Sequence, residues 1–382
     1  GPVLITAGPG TGKTFTLVQR IIYLIEEKNI LPEEILIATF TEKAAKELVT
    51  RITNELLKKN ININVNEMYI GTFHSICLRL IKENLEYTNI KKNYRTLDSF
   101  DQQYMIFQNI NRFRVIPNFD KVIQIKSGAW KQSCEIAIYV NNLIEELVVP
   151  EKLQSDSNEA IAALGRILEE YLSILREENA IDFATIQTEA YNLLINNPEI
   201  LDSIQEKIKY IMVDEYQDTN FIQELLVFLI GSKNNNICVV GDDDQGLYRF
   251  RGATIRNILE FPFKFNDGEC KVIKLVTNYR SNSTIVDFYN EWMEQTEGSK
   301  FKFEWDKYRY SKKIIASEKT SLKSPGVIKL SADNDIEEWH NKILSFIQDI
   351  KASGQLTDYN QIAFLFRSVK SDVAKNLANF LE

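Results

Sequence analysis

Histidine and cysteine are scarce in this sequence. Its 382 residues include two histidines and four cysteines, and the cysteines are far apart, with no Cys-x-x-Cys pair. Zinc sites need clusters of these side chains at short spacings, and disulfide-rich domains need many cysteines. We therefore expect neither a zinc site nor a disulfide framework, and the composition favours a reducing, cytoplasmic location.

Long apolar runs are missing as well. No stretch approaches the roughly 18 uninterrupted apolar residues of a membrane span, and no signal peptide is visible, so we expect no membrane partner. The net charge of −8 argues against a protein coated in nucleic acid but is compatible with a narrow basic groove. What the sequence does have is 44% hydrophobic residues, enough for the cores of the two or three domains that its length predicts.

The stretch VLITAGPGTGKT, residues 3–14, carries the strongest chemical signal. It begins with an apolar run typical of a buried strand, and its glycines allow backbone conformations that a Cβ would block. Such a loop can point several N–H groups at an anion, and the following helix adds its positive end. Lys13 is placed to reach the β- and γ-phosphates of a triphosphate, and Thr14 to hold Mg²⁺. The alternative, a strand–turn–helix without a ligand, gives no reason for Lys-Thr directly after the glycines.

Strands alternating with helices predict an α/β fold with a parallel sheet covered by helices on both faces. The alternation stops in the middle of the chain, where we find no convincing strand, and then resumes. The predicted segments are the first part of the sheet domain (1–87), a helical insertion (88–181), the second part of the sheet domain (182–274) and the start of a second α/β domain (275–382). Within the last segment, strands are predicted at 326–331 and 361–366.

Two adjacent carboxylates, Asp214 and Glu215, follow the predicted strand 208–213. In a phosphate-loop protein, an acid at the end of a buried strand holds Mg²⁺, and a neighbouring acid can polarise the attacking water. Acids that merely cap a helix after a strand are the alternative. The phosphate loop about 200 residues earlier favours the catalytic interpretation.

The stretch VVGDDDQGLYRFRGA, residues 239–253, places three acids after another strand. Gln245 could report whether a γ-phosphate is present, and Tyr248 and Phe250 could stack on bases, at about 1–3 kcal/mol for each stack. The two aromatic residues could equally belong to the core. Arg280 could stabilise the transferring phosphoryl group if a second domain brought it to the nucleotide; otherwise it is a surface arginine.

Residues 91–131 combine basic and aromatic side chains. The basic residues are Lys91, Lys92, Arg95, Arg112, Arg114, Lys121, Lys126 and Lys131, and the interleaved aromatic residues are Tyr94, Tyr104, Phe107, Phe113, Phe119 and Trp130. This composition is typical of a track for single-stranded nucleic acid. A solvated basic face over an ordinary aromatic core is the favoured interpretation when the segment is taken on its own.

Taken together, these stretches resemble the superfamily 1 DNA helicases of the UvrD/Rep/PcrA group over nearly the whole chain. The similar stretches are AGPGTGKT (7–14), TFTEKAAKEL (39–48), GTFHSIC (71–77), IDFATIQTEA (181–190), VDEYQDTN (213–220), VGDDDQGLYRFRGA (240–253), NYRSN (278–282) and IAFLFRS (362–368). The resemblance implies a RecA-like P-loop NTPase domain, called 1A, which is interrupted by the helical subdomain 1B. The start of a second RecA-like domain, 2A, follows, so that the chain corresponds to the N-terminal half of a helicase.

The resemblance also implies residue roles. Catalytic roles fall to Lys13, Glu215, Gln245 and Arg280; nucleotide contacts to Ala7, Gly8, Pro9, Gly10, Thr11, Gly12, Lys13, Thr14, Phe15, Tyr279 and Arg280; metal binding to Thr14 and Asp214; and DNA contacts to Phe40, Thr72, His74, Tyr248, Phe250 and Arg251. Phe15 stands where the family usually has arginine, and Phe250 where it usually has tryptophan.

The activity implied by the resemblance is that of an ATP- and Mg²⁺-dependent helicase or translocase. It would act on single-stranded DNA and at junctions of single- and double-stranded DNA, moving 3′ to 5′, in repair or recombination. Its implied location is the cytoplasm and, in a bacterium, the nucleoid. Two alternatives stay open: the helicase subunit of a recombination nuclease complex, and a module that binds DNA and nucleotide without motor activity. The sequence names no protein partner.

Overall fold

In the computed structural model, the described residues are 1–124, 126–246, 255–294, 309–310, 312–318, 326–332 and 335–382. Their strands are β1 (Val3–Ala7), β2 (Ile35–Thr39), β3 (Tyr69–Thr72), β4 (Arg95–Thr96), β5 (Ala180–Ile181), β6 (Tyr210–Val213), β7 (Ile237–Gly241), β8 (Lys271–Leu275), β9 (Thr277–Asn278) and β10 (Ile315–Ala316). Their helices are α1 (Lys13–Lys28), α2 (Glu42–Lys58), α3 (Phe73–Glu83), α4 (Ser99–Gln108), α5 (Ile110–Arg114), α6 (Ala129–Glu145), α7 (Pro150–Gln154), α8 (Glu159–Glu177), α9 (Phe183–Asn196), α10 (Pro198–Lys207), α11 (Phe221–Gly231), α12 (Ile255–Glu260), α13 (Ser283–Glu294), α14 (Ile336–Ala352) and α15 (Asp372–Leu381). No helix among these residues is long and apolar enough to span a bilayer.

The main sheet has six parallel strands in the order β3-β2-β6-β7-β1-β8. β1 lies between β7 and β8, so that Leu4 is opposite Val239 on one side and Val272 on the other. β1, β2 and β7 are buried along their whole length, as expected of parallel strands covered on both faces. Because the strands are parallel, their carboxyl ends meet at one edge of the sheet.

Alternate residues of these strands face two different cores. On one face, Ile5 packs with apolar residues of α1 and α2, represented by Leu17 and Leu48. On the other face, Leu4 packs with residues of α3, α9, α11 and α12, represented by Leu80. The predicted α/β class, with a parallel central sheet and helices on both faces, is confirmed.

The insertion between α3 and α9 has a core of its own. Its helices bury Phe113, Phe119 and Tyr171 among aliphatic side chains. β4 and β5 pair in parallel, with Arg95 opposite Ala180, and so hold the two ends of the insertion together. The prediction of no strand in this segment is wrong at this point, because strands of two residues are too short for any alternation to show in the sequence.

Asp182 connects the insertion to the sheet domain. Its carboxylate is buried and caps α9, accepting a hydrogen bond from the Thr185 N–H at 2.7 Å. The same carboxylate accepts from Gln102 Nε2 of the insertion at 2.9 Å and from the hydroxyl of Tyr171. One buried acid therefore fixes α4, α8 and α9 relative to one another, because a buried carboxylate needs its hydrogen-bond partners.

The last segment departs most from its predicted strands. β9 and β10 form a two-stranded parallel pair beside the main sheet. The structure assigns no strand to residues 326–332 or 361–366, so both strand predictions are wrong for these described residues. Ile328 is 54% and Leu365 94% exposed. Among the described residues no neighbouring strand lies beside either stretch, and a strand forms only where a partner completes its ladder.

Candidate active site

The phosphate loop joins β1 to α1 at the carboxyl edge of the sheet. Its turn is closed by the Thr11 hydroxyl, which donates to Gly8 O at 2.8 Å. Gly10 and Gly12 have φ of +69° and +90°, a conformation that side chains disfavour. Gly12 precedes α1 and offers no side-chain cap, so the first N–H groups of the helix are available to an anion.

The segment after β8 holds this loop from the side. Asn278 Nδ2 donates to Pro9 O at 2.6 Å, and the Tyr279 N–H donates to Gly10 O at 2.9 Å. A Cβ on Gly10 would lie only 2.8 Å from the Cβ of Arg280. The residues Tyr279 and Arg280, which were predicted to contact the nucleotide, therefore lie next to the loop that would hold its phosphates.

The acid pair follows β6 and meets the loop lysine. Lys13 Nζ lies 2.8 Å from Glu215 Oε2, and the two form an ion pair. Asp214 is buried, and its N–H donates to Ala38 O of β2 at 2.9 Å. Burial, followed by the charge of Glu215, raises the pKa of Asp214 to about 6, while Lys13 opposes this. The phosphate-loop lysine therefore lies beside the acid pair that follows β6.

The donors at this place suit magnesium. Asp214 supplies a carboxylate and Thr14, in the first turn of α1, supplies a hydroxyl, and oxygen ligands are those that Mg²⁺ prefers. Among the described residues, no group of three or more His, Cys, Asp or Glu side chains is arranged to hold a metal. Magnesium is commonly held by one or two carboxylates together with the phosphates of a substrate.

A chain of hydrogen bonds links the acid pair to Gln245. Gln217 Nε2 donates to Glu215 Oε2 at 2.8 Å, and Gln217 Oε1 accepts from the Asp242 N–H at 2.9 Å. Asp242 is wholly buried, and its Oδ2 accepts from Gln245 Nε2 at 2.6 Å. In this structure both Lys13 and Gln245 are therefore engaged with protein carboxylates, which phosphate oxygens would have to replace.

The predicted nucleotide residues line one pocket of about 360 Å³. Its lining consists of Pro9, Gly10, Gly12, Lys13, Thr14, Phe15, Arg51, Glu215, Gln245, Tyr279 and Arg280. The side chains of Phe15 and Tyr279 are 62% and 64% exposed, so their rings are open to a ligand. Ala7, Gly8 and Thr11 contribute differently, because Ala7 is buried in β1 and the other two close the turn.

Arg51 is the pocket residue that the sequence reasoning missed. It lies in α2, where it pairs with Glu47 at 2.5 Å. In the sequence it is one charge on the polar side of an amphipathic helix, and such charges usually face solvent. No local pattern distinguishes it, because only the packing of α2 beside α1 brings it to the loop.

Two of the predicted DNA contacts begin α3. Thr72 caps this helix, accepting from the Ser75 N–H at 3.2 Å, and its hydroxyl donates to Glu42 Oε1 at 3.0 Å. His74 lies 3.2 Å from Gln187 Nε2 and meets the ring of Phe183 edge-on, with centroids 5.2 Å apart. Burial lowers the pKa of His74, against the opposing charges of nearby acids.

Phe183 was not among the predicted contacts, although it lies in the quoted stretch 181–190. Its ring is 45% exposed and is the aromatic face beside His74. Phe40 follows β2 and is half-buried at the same edge of the sheet. The remaining predicted contacts, Tyr248, Phe250 and Arg251, lie outside the described residues.

The basic and aromatic segment 91–131 divides into two kinds of residue. Arg112 is paired with Glu170 at 2.5 Å and with Glu177 at 2.7 Å. Lys121 is paired with Glu159. With Phe113 and Phe119 in the core of the insertion, this part agrees with a solvated basic face over an aromatic core.

Four other aromatic residues of the insertion form a surface patch. Phe100, Tyr104, Phe107 and Trp130 are each between 37% and 62% exposed. Their rings contact one another, with Phe100 and Trp130 centroids 5.8 Å apart and Phe107 and Trp130 centroids 5.6 Å apart. A solvated basic face over an aromatic core therefore accounts for only some of the aromatic residues in segment 91–131.

Comparison with known proteins agrees with this geometry. Residues 1–266 match the family model of the UvrD/REP helicase N-terminal domain, and residues 273–382 match that of the UvrD-like helicase C-terminal domain. The chain is 37% identical over 306 residues to the ATP-dependent DNA helicase PcrA of Staphylococcus epidermidis, covering 80% of this chain and 40% of that protein. It is 36% identical over 315 residues to the protein of the same name from Staphylococcus aureus, covering 82% and 41%. The chain thus spans about two fifths of the length of these relatives. From its motifs, its fold and these matches, the chain belongs to the UvrD/Rep/PcrA group of superfamily 1 helicases.

Proposed function

We propose that this protein is an ATP-driven motor on single-stranded DNA, a DNA-dependent ATPase and helicase. One observation carries the proposal: Lys13, Glu215, Gln245, Tyr279 and Arg280, from four separate stretches of sequence, line a single pocket. The names of the relatives, which describe ATP-dependent DNA helicases, support the same activity.

The proposed roles follow from the chemistry of each side chain. Lys13 exchanges Glu215 for the β- and γ-phosphates, which releases the Glu215 carboxylate to polarise the attacking water. Gln245 leaves Asp242 to contact the γ-phosphate. Tyr279 offers its exposed ring to the adenine, and Arg280 stabilises the charge of the transferring group.

Mg²⁺ is the proposed cofactor, with Thr14 and Asp214 as its protein ligands. When bound, it neutralises charge on the phosphate oxygens and orients them. Asp214 would bind it as a carboxylate, and the ion would lower the pKa that burial raises. The remaining nucleotide contacts fall to the loop residues Ala7 to Phe15 as the sequence predicts.

We propose the domain division given by the sequence. Domain 1A comprises residues 1–87 and 182–274, subdomain 1B comprises 88–181, and 2A begins at 275. The sheet supports this division, because β1–β3 and β6–β8 come from the two parts of 1A. Nucleotide binding between 1A and 2A would close the cleft, and hydrolysis would reopen it.

The DNA track is proposed to cross the carboxyl edge of the sheet beyond β2 and β3. Phe40, Thr72 and His74 lie there. The exposed ring of Phe183 supports a stacking surface at the same place. Tyr248, Phe250 and Arg251 complete the proposed track.

The finer proposals rest on the family resemblance. They are movement 3′ to 5′, preference for junctions of single- and double-stranded DNA, a role in repair or recombination, and a cytoplasmic location at the nucleoid if the organism is a bacterium. A recombination nuclease complex and a binding module without motor activity are the competing functions. The module would bind DNA with salt-dependent affinity while phosphate release stayed at background.

The decisive experiment is ATP hydrolysis by the full-length protein with and without single-stranded DNA. We expect stimulation by DNA and a loss of at least about a hundredfold in Lys13→Ala, because the phosphates lose their lysine. Lys28→Ala, at the exposed far end of the same helix, is the matched control and should keep the wild-type rate. An unchanged rate in Lys13→Ala would overturn the proposal.

Direction is tested separately by strand displacement from duplexes that carry either a 3′ or a 5′ single-stranded tail. Displacement from the 3′-tailed duplex alone is the expected result. Displacement from the 5′-tailed duplex alone would refute the proposed direction but leave the ATPase proposal standing. ATP hydrolysis without strand displacement from either duplex would favour a translocase.

A further inference from the structure

A buried lysine of the second domain meets the acids that precede Gln245. Lys312 Nζ lies 2.5 Å from Asp242 Oδ1, contacts Asp243, and lies 3.4 Å from Asp244 Oδ2. The side chain of Lys312 is 1% exposed. Arg309 completes the cluster by a two-pronged pair with Asp244, at 2.6 and 2.9 Å. Three successive acids of the first domain are thus held by two cations of one short segment.

The burial of this cluster indicates a positional role. Surface ion pairs contribute little, and a buried one must overcome the desolvation of both partners. Burial acts to lower the pKa of Lys312, but the surrounding acids outweigh it and raise that pKa, so the ammonium stays charged. A charged group buried between two domains fixes their relative placement, since either partner alone would be left unpaired.

Asp242 divides its two carboxylate oxygens between two tasks. Oδ2 accepts from Gln245 Nε2 at 2.6 Å, while Oδ1 accepts from Lys312 Nζ. If Lys312 were neutral, the carboxylate would be left with donors of its own loop, the Asp244 N–H at 3.1 Å and Gln245. Gln245 would then be retained on Asp242, because a buried carboxylate holds its remaining donors more strongly.

Lys312 also belongs to the same unit as the nucleotide-facing arginine. It lies three residues before β10, which pairs with β9, and β9 leads directly into Arg280. The Ser317 N–H donates to Asn278 O at 2.8 Å and fixes this pairing. A movement of the second domain therefore changes the support of Asp242 and the position of Arg280 together.

We propose that Lys312 is a positioning residue for ATP hydrolysis, which holds Asp242 so that Gln245 is free to exchange Asp242 for the γ-phosphate. The proposal rests on the ATPase function proposed above and adds a specific coupling between the second domain and the γ-phosphate contact. It assigns to Lys312 an effect on the chemical step rather than on nucleotide binding.

The test is a double-mutant cycle on DNA-stimulated ATP hydrolysis by the full-length protein. Lys312→Met should lower kcat about tenfold or more with KM for ATP changed by no more than about twofold, the pattern of a group that acts in the transition state. Lys312→Arg should recover most of the rate. Lys313→Met, at the exposed neighbouring position, is the matched control and should behave as wild type.

The cycle is completed in a Gln245→Ala background. There, Lys312→Met should cost less than about a further twofold in kcat, because its effect acts through Gln245. Equal losses in both backgrounds, or a raised KM with unchanged kcat, would show a structural role and overturn the inference. If Lys312→Met does not fold by circular dichroism, Lys312→Gln, which keeps a donor amide, decides by the same criteria.

Different results would overturn the proposed function and the role of Lys312. A wild-type protein without DNA-stimulated hydrolysis overturns the proposed function and this inference with it. An active wild type in which Lys312→Met matches the Lys313→Met control overturns the inference alone.

Discussion

Replacing Glu145 by glutamine is expected to stabilise the protein at alkaline pH and to leave its stability unchanged under acidic conditions. Glu145 is the last residue of α6, where the helical insertion meets Asn220, the residue that caps α11. Burial, with smaller contributions from the charges of Asp182 and Glu146, raises the pKa of Glu145 to about 7, although a hydrogen bond from Asn220 opposes this.

The size of the expected stability change follows from the difference between the pKa of Glu145 in the folded protein and in the unfolded chain. A rise in pKa from 4.5 to about 7 corresponds to roughly 3 kcal/mol between the protonated and charged carboxyl. Because the folded protein binds this proton more tightly than the unfolded chain, the free energy of unfolding is highest below about pH 4.5. It falls as the pH rises through 7. Glutamine keeps the shape and the acceptor for Asn220 but carries no charge, so Glu145→Gln should gain about 1–3 kcal/mol at pH 8.5.

Urea unfolding followed by circular dichroism at pH 4.5, 7 and 8.5 measures this difference. The advantage of Glu145→Gln should be absent at the lowest pH and grow through 7. Glu178→Gln, at an exposed position of the same insertion that is not among the charges acting on Glu145, is the matched control and should change stability by less than about 0.5 kcal/mol at every pH. A stability difference between Glu145→Gln and the wild type that does not vary with pH, or that shrinks as the pH rises, would refute the raised pKa of Glu145 as its cause.

Three further outcomes are expected. Gly10→Ala should weaken binding of a non-hydrolysable ATP analogue at least about tenfold by calorimetry, because its Cβ would lie 2.8 Å from side-chain atoms of Asn278 and Arg280. Gly268→Ala, with φ +74° and open space around it, should keep the wild-type affinity, and equal affinities of the two variants would contradict this prediction. Tyr171→Phe removes a hydrogen-bond donor from the buried carboxylate of Asp182 and should lower the free energy of unfolding, measured in urea, by about 1–3 kcal/mol. Unchanged stability would contradict the role of Asp182 in connecting the insertion to the sheet domain. Phe183→Ala should weaken single-stranded DNA binding, measured by fluorescence anisotropy, about fivefold to tenfold. Unchanged affinity would show that the Phe183 ring does not contact the DNA.

Much of the candidate active site could be proposed from the sequence because its motifs are local. The phosphate loop is recognisable in the sequence because Gly10 and Gly12 stand where positive φ occurs, and Lys13 and Thr14 follow at fixed spacing. Asp214 and Glu215 end a buried apolar run, which marks the carboxyl edge of a sheet. Parallel strands then bring these separate stretches together.

The missed residues are those that only tertiary packing defines. Arg51 and Lys312 lie on segments whose local sequence reads as an ordinary charged surface, yet one enters the pocket and the other is buried among acids. The wrong strand predictions at 326–331 and 361–366 have the same origin. Their apolar residues fit a strand, but strand formation depends on a neighbour that a local pattern does not reveal.

β1 precedes the other five strands of the six-stranded sheet in the chain, but its two neighbours in that sheet are the last two of the six to be made. Its neighbours in the sheet are β7 and β8, so that Val3 pairs with Cys238 and Lys271. At about 5–20 residues per second, a ribosome needs roughly 15 to 50 seconds to make the chain between them. Until then the apolar strand that carries the phosphate loop has no partner on either side. A nascent chain can therefore form the proposed nucleotide site only after β7 and β8 have emerged, and an incomplete chain has no formed pocket in which to bind ATP.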